Sequence, residues 1–199
     1  MRGYTKLTIR ALLITLPTLV AWTPANPVLT LQPQSRLWVN GTSTVRSFEC
    51  KATAFDVRLD AAPNAVAGVL AGEKAVRTAD VTVPAAKLDC GNGKMNEHMW
   101  KALKKDQHPD IAFRLTGYQS AKGAAGVQGE LTGVLSLGGV EKTITFPGTA
   151  VDAGEGTLRV TGTHELRMTE YGLKPPTLML GSMKVGDKVT VAFDLLLKD

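Results

Sequence analysis

Apolar and polar residues take turns along most of this chain. Leu158, Val160, Gly162, His164, Leu166 and Met168 alternate with Arg159, Thr161, Thr163, Glu165 and Arg167. A two-residue period sends successive side chains to opposite faces of an extended strand, so this run predicts a strand with one dry face. The alternation recurs at Ile111, Phe113 and Leu115, at Leu131, Gly133, Leu135 and Leu137, and at Val140, Ile144 and Phe146. It returns at Val185, Val189, Val191, Phe193 and Leu195, and Val81 and Val83 mark another strand. Phe55, Val57 and Leu59 continue a strand begun near Val45, with a change of parity at Ala54 that predicts a bulge. Glycine-bearing turns separate the runs: "SAKGAAG", "LGGVEK", "DAGEG" and "KVGDK". About eight strands joined by short turns predict an all-β antiparallel meander that closes edge to edge as a flattened barrel.

The stretch "LDCGNGKMNEHMWKALKKDQHPDIAF", Leu88 to Phe113, departs from this pattern. Met95, Met99 and Leu103 recur every four residues, while Lys101, Lys104 and Lys105 occupy other faces. Asn96 is the expected N-cap, Glu97 stands in the favourable first turn, and Pro109 forbids continuation. One short α-helix inserted between strands follows, its apolar stripe covering one end of the barrel. Cys90, Met95, His98, Met99 and His108 suit a soft metal in kind. Yet the two methionines lie on the packed stripe, and His98 falls about 60 to 100 degrees off it. No repeated Cys or His pair stands at a ligand spacing, so no metal site is assigned. The three histidines, His98, His108 and His164, are far apart in sequence, with no nucleophile elbow or paired-histidine helix beside them. No catalytic residue or cofactor is assigned, and the chain is read as a non-enzyme.

The first residues carry a different signal. Arg2, Lys6 and Arg10 precede the apolar run "ALLITLPTLVAW", and the small residues of "TPA" follow. That order is the signature of a secretory signal peptide, read over 1–25. The run is too short to cross a bilayer, and Pro17 interrupts it. A flexible lead at 26–34 and one barrel domain at 35–199 would remain, in the periplasm or secreted. The leader takes three basic charges with it, so the formal net charge of +5 falls to about +2. The dispersed charge gives no case for a nucleic-acid partner. Cys50 and Cys90 are two cysteines in a chain read as exported, which predicts a disulfide, with two buried thiols as the alternative.

Three features bear on what the barrel encloses. Gly117, Gly133 and Gly162 fall in step with large apolar neighbours, so they mark either corner bends or missing side chains that leave room. His164 shares the apolar parity; it is either a satisfied core histidine or a polar contact for a ligand head group. The loop from Glu170 to Lys188 sets Leu173, Leu178, Met179, Leu180 and Met183 beside Pro175 and Pro176, which predicts a plug over the barrel or a portal into it.

Taken in order, "SRLWVNGTSTVRSFEC", "LDCGNGKMNEHMWKAL", "HPDIAF", "GELTGVLSLGGVEKTITFP" and "MTEYGLKPPT" followed by "GSMKVGDKVTVAFDLLL" resemble the YceI-like family of exported bacterial proteins. The likeness runs from about Ser35 to Leu197. It implies a lipocalin-like antiparallel eight-stranded barrel with a helix near one end, binding a polyisoprenoid or other long amphiphile inside. The positions that match the family's interior are Phe113, Leu115, Leu131, Leu135, Ile144, Phe146, Leu166, Met168 and Phe193, with Tyr171 and Leu173 in its "YGL" turn. Together with the inward Val160, His164 and the three glycines, these form the expected cavity lining. The expected function is an exported carrier or buffer of a long-chain lipid: an isoprenoid quinone, a polyprenol or a fatty-acid derivative. The alternative is a ligand-free structural or stress-related β-barrel. Transient membrane contact and a homodimer stay open as further partners.

Overall fold

The computed structural model describes residues 29–178 and 182–199. The signal segment at 1–25, the start of the expected lead, and Met179 and Leu180 lie outside them. Among the described residues, twelve strands form one antiparallel sheet. They are β1 (Thr30–Leu31), β2 (Arg36–Ser43), β3 (Ser47–Ala52), β4 (Asp56–Ala61), β5 (Val76–Pro84), β6 (Leu88–Asp89), β7 (Asp110–Gly123), β8 (Gly126–Leu137), β9 (Val140–Asp152), β10 (Thr157–Arg167), β11 (Thr177–Leu178) and β12 (Met183–Lys198). Two helices, α1 (Ala65–Leu70) and α2 (Gly93–Ala102), interrupt them. The spatial order is β4-β5-β7-β8-β9-β10-β12-β2-β3-β6, with β1 and β11 also paired to β12.

The eight expected strands become twelve for two reasons. β1, β6 and β11 are only two residues long, too short to show a period. The strand expected to run from Val45 to Leu59 is in fact two strands. Val45 lies exposed in the β2–β3 turn, and the parity change at Ala54 is a strand end rather than a bulge. There the chain leaves β3, paired to β2, and enters β4, paired to β5. β3 and β4 share no ladder among the described residues, so the barrel curls round without closing and keeps a seam. Thr53 extends the β3–β6 pairing by one residue, its N–H and hydroxyl both donating to the Lys87 carbonyl at 2.8 and 2.9 Å. A second parting follows from proline. The β9–β10 ladder stops at Gly148 and Gly162, beside Pro147, which has no N–H to continue it.

Two expectations about the ends are corrected. Residues 29–34 are not a loose lead: Leu29 is 3% exposed, and Thr30 and Leu31 pair with Lys198 and Leu197. Helix α1 went unforeseen because "AVAGVL" is apolar throughout and shows no helical spacing. Its Ala65 and Val66 pack with Leu29, Val127, Ala150, Leu158 and Leu197, plugging one barrel end. A separate cluster of Leu135, Leu137, Leu166, Tyr171, Leu173 and Val189 fills part of the other.

On the outer face, Asp194 clamps three neighbouring strands. The residue is 7% exposed, and its carboxylate accepts from Arg159 Nε and Nη2 of β10 at 2.8 and 2.7 Å and from Arg36 Nη2 of β2 at 2.9 Å. Arg159 first, then Arg36, holds this carboxyl down at about 2, below the ordinary 3.8. The unfolded chain therefore takes up the proton more readily, so the clamp's stabilisation is complete above the ordinary value and is lost as pH falls toward 2. Asp194→Asn should cost about 2 kcal/mol at neutral pH in urea unfolding, with the difference vanishing near pH 2. Equal stability of the two proteins at neutral pH would remove the clamp from this account.

Candidate functional site

Helix α2 crosses the end of the barrel that α1 leaves free. Its start is tied to β3 by the Cys50–Cys90 disulfide. The N-cap is Asn92, whose Oδ1 accepts from Met95 N at 3.1 Å, and not Asn96. Asn96 instead turns back on the preceding strand: its Oδ1 accepts from Cys90 N and its Nδ2 donates to Asp89 Oδ1, both at 2.8 Å. That bond, together with the Gly91 N–H, holds the Asp89 carboxyl below its ordinary value. Past the helix's far end the chain rests on the β8–β9 turn. A side chain on Gly139, which sits at φ +85, would run into the His108 ring at 2.5 Å, so this glycine is required twice over. Next to it, Gly138 makes room for Leu173.

No residue of α2 is fully buried. Met95, Met99 and Leu103 face inward as expected; all three border open space, and Leu103 also packs against the Leu135–Leu173 cluster. Beneath them lies a cavity of about 370 Å³, within the range of small-molecule sites. Its walls are almost wholly aliphatic and aromatic, drawn from both sides of the seam and from the β7–β10 wall. Phe113, Leu115, Leu131, Leu135, Ile144, Val160, His164, Leu166, Met168 and Phe193, which the alternation turns inward, line it, and so does Leu173 of the "YGL" turn. Leu37, Phe48, Val57, Leu59, Val81 and both cysteines line it as well. Their parity was equally readable for Val57, Leu59 and Val81, whereas Phe48 needed the strand end at Ala54 to be recognised. His98 also reaches the lining, although its helical angle placed it off the stripe.

Five expected lining residues are not on the cavity surface. Gly117 points the other way, because a register shift between Leu115 and Gly117 flips the parity of β7; a Cβ there would meet nothing within 4 Å. Gly133 and Gly162 leave no void, since the Phe113 and Phe193 rings lie across them. Phe146 stands behind the surface, its ring centroid 5.4 Å from Phe113, 5.7 Å from His164 and 6.0 Å from Phe193. Tyr171 is 1% exposed in the core cluster, with the Lys142 ammonium 5.5 Å above its ring. Burial, reinforced by Glu170, pushes its phenol up from 10.0. Leu173 is likewise buried, so the described part of the apolar loop is a plug.

His164 stands out among the few polar residues of the wall, because it lies between apolar strand positions. It has no hydrogen-bond partner among the described residues, and burial holds it below the ordinary 6.5, against the pull of Glu165 and Glu170. It is therefore a neutral imidazole at pH 7, facing apolar space with donor and acceptor capacity unused. Among the described residues no group of three or more His, Cys, Asp or Glu could hold a metal ion. None of the described helices is long and apolar enough to cross a membrane.

Comparison with known proteins gives a consistent picture. The profile of the YceI-like domain matches residues 34–197. Curated protein sequences give no match. Among solved structures, BcnA of Burkholderia cenocepacia is similar at 20% identity and a TM-score of 0.64, over 82% of this chain and 96% of that one. A polyisoprenoid binding domain from Saccharophagus degradans, implicated in plant cell wall breakdown, is similar at 12% identity and a TM-score of 0.64, over 86% and 97%. The YCEI protein of Campylobacter jejuni is similar at 16% identity and a TM-score of 0.56, over 92% and 97%. Identities this low establish a shared fold.

The staple of the lid gives a direct test. The bridge closes a loop spanning 40 residues, which the chain-entropy relation values at about 4 kcal/mol. Replacing both cysteines by serine should lose stability of that order in urea and speed amide exchange over 93–102 more than over β8. Unchanged exchange in α2 would mean that the helix is held by its packing alone.

Proposed function

Because the chain belongs to the YceI-like domain family, we propose that it is an exported lipid-binding protein, holding a long-chain isoprenoid or similar amphiphile in the cavity under α2 as a carrier or buffer. The observation that carries this reading is the cavity itself: about 370 Å³ of space, walled mainly by apolar side chains, with the His164 imidazole unpartnered among them. Such a wall has nothing to offer a charged or sugar-like ligand and much to offer a hydrocarbon. Each methylene taken from water contributes about 0.8 kcal/mol, so a chain of roughly twenty carbons offers on the order of 16 kcal/mol gross. Association and ordering offset much of that, and a lipid already in a membrane has no contact with water to lose. Transfer between bilayer and protein is then near balance, which suits uptake and release during transient membrane contact. His164 serves the polar end: a neutral imidazole can donate to a carbonyl or accept from a hydroxyl. Binding rather than catalysis fits a largely hydrocarbon lining in which His98 and His164 have no carboxylate beside them among the lining residues. The polyisoprenoid binding of the Saccharophagus domain is in keeping with this reading.

Export rests on two supports. The basic, apolar and small-residue sequence at 1–25 has the form of a signal peptide, and the Cys50–Cys90 bridge is the kind of bond that persists in oxidising compartments.

Native mass spectrometry of the protein purified after export should show a mass excess that solvent extraction removes. The extract should contain a long-chain isoprenoid or related lipid. A bare mass would favour the ligand-free barrel, and bound copper or zinc would move the chemistry to a metal.

A further inference from the structure

We propose that Gly41 and Phe48 set the bore of the cavity and thereby its tolerance for methyl-branched chains; this rests on the lipid reading above and deepens it. Three inward glycines each lie under an aromatic ring from a neighbouring strand. Gly41 pairs across the ladder with Phe48, and Gly162 with Phe193. Gly133 lies diagonally from Phe113, whose direct partner is Leu135. All three rings line the cavity and none of the three glycines does. Each ring has thus sunk into the place of a missing side chain, and its exposed face has become the wall.

The three pairs differ in what else the glycine serves. An added Cβ at Gly162 would also meet the Pro147 carbonyl oxygen at 2.8 Å, and one at Gly133 would meet the Arg114 carbonyl oxygen. At those two positions the backbone itself excludes a side chain. At Gly41 the three nearest atoms all belong to the Phe48 ring, with both Cε atoms at 2.9 Å and Cζ nearer still. Its backbone is not among those with positive φ, so nothing in its conformation demands glycine. Room for the ring is what remains.

The position also matters. Phe48 sits on β3 at the seam, and Val57 and Leu59 of β4 line the cavity on the other side. No ladder fixes the spacing of these two strands, so the depth of the ring governs the free width there. A Cβ at Gly41 must drive the ring about 1 Å into the cavity to restore ordinary contact. That is enough to obstruct a chain with methyl branches while a narrower straight chain still passes.

The test compares geranylgeraniol with eicosan-1-ol, alcohols of equal carbon number, by displacement of a fluorescent fatty acid from delipidated protein. The native protein should bind both. Gly41→Ala should weaken geranylgeraniol about tenfold and eicosan-1-ol by less than about threefold, a cost typical of overpacking. Phe48→Leu in the Gly41→Ala background should restore geranylgeraniol, because the smaller side chain leaves room for the Cβ. Circular dichroism and thermal unfolding confirm the fold. Should Gly41→Ala fail to fold, Phe48→Leu alone carries the test and should narrow the difference between the alcohols. If the native protein binds both alcohols and these variants leave their ratio unchanged, the bore is not set here and the lipid reading stands. If the native protein binds neither, the lipid reading falls and takes this inference with it.

Discussion

A sheet that curls on itself must either fill its bore with side chains or leave the middle to something else. In this fold one end is filled, the other is filled in part, and the middle is not. Helix α1 and Leu29 seal one end with small and branched residues, and Tyr171, Leu173 and their neighbours pack part of the other. Between them, Phe48, Phe113 and Phe193 could have occupied the bore, but each lies back against a glycine of the adjoining strand. The lining faces other side chains on the flanks and open space in the centre. Burying that exposed hydrocarbon is a large unused source of binding free energy.

Access to such a space has to come through the least cooperative part of the structure. The β7–β8 and β8–β9 ladders run unbroken for most of their length apart from the β7 bulge, so that wall should open only with global unfolding. The lid is different. A helix of ten residues is marginal on its own, and α2 buries no residue fully. It is held by the disulfide at one end and, past the other, by close packing on Gly138 and Gly139. An element fixed at two points over a hollow can open locally without disturbing the sheet. The seam beside it, where β3 and β4 share no ladder among the described residues, adds to the same weak region.

Most of the wall could be read from alternation alone, because a period of two is a direct record of which face is dry. Misreadings arose where the period was reset locally. At Thr116 one extra residue in β7 reverses parity, which moved Gly117 outside and brought Tyr118 within the lining. At Ala54 the same kind of reset marked the end of a strand, and a bulge and a break look alike without a partner strand. The glycines were legible as inward positions but not as ring seats, since which ring covers which glycine depends on pairing. Asn96 is the cap expected from sequence, but Asn92 takes that place by accepting from Met95 N, while Asn96 is engaged by Cys90 and Asp89. Tyr171 looked available as part of an apolar turn, yet its ring is packed into the core beneath Lys142.

The account depends on a lipid chain occupying the hollow beneath α2, and a crystal structure of the exported protein soaked with geranylgeraniol tests this most directly. The prediction is continuous density running from the inner faces of Met95 and Met99 to the Phe113–Phe193 wall, with the polar end within hydrogen-bond reach of His164. Density confined to the outer surface, or a cavity collapsed onto its own side chains, would contradict it.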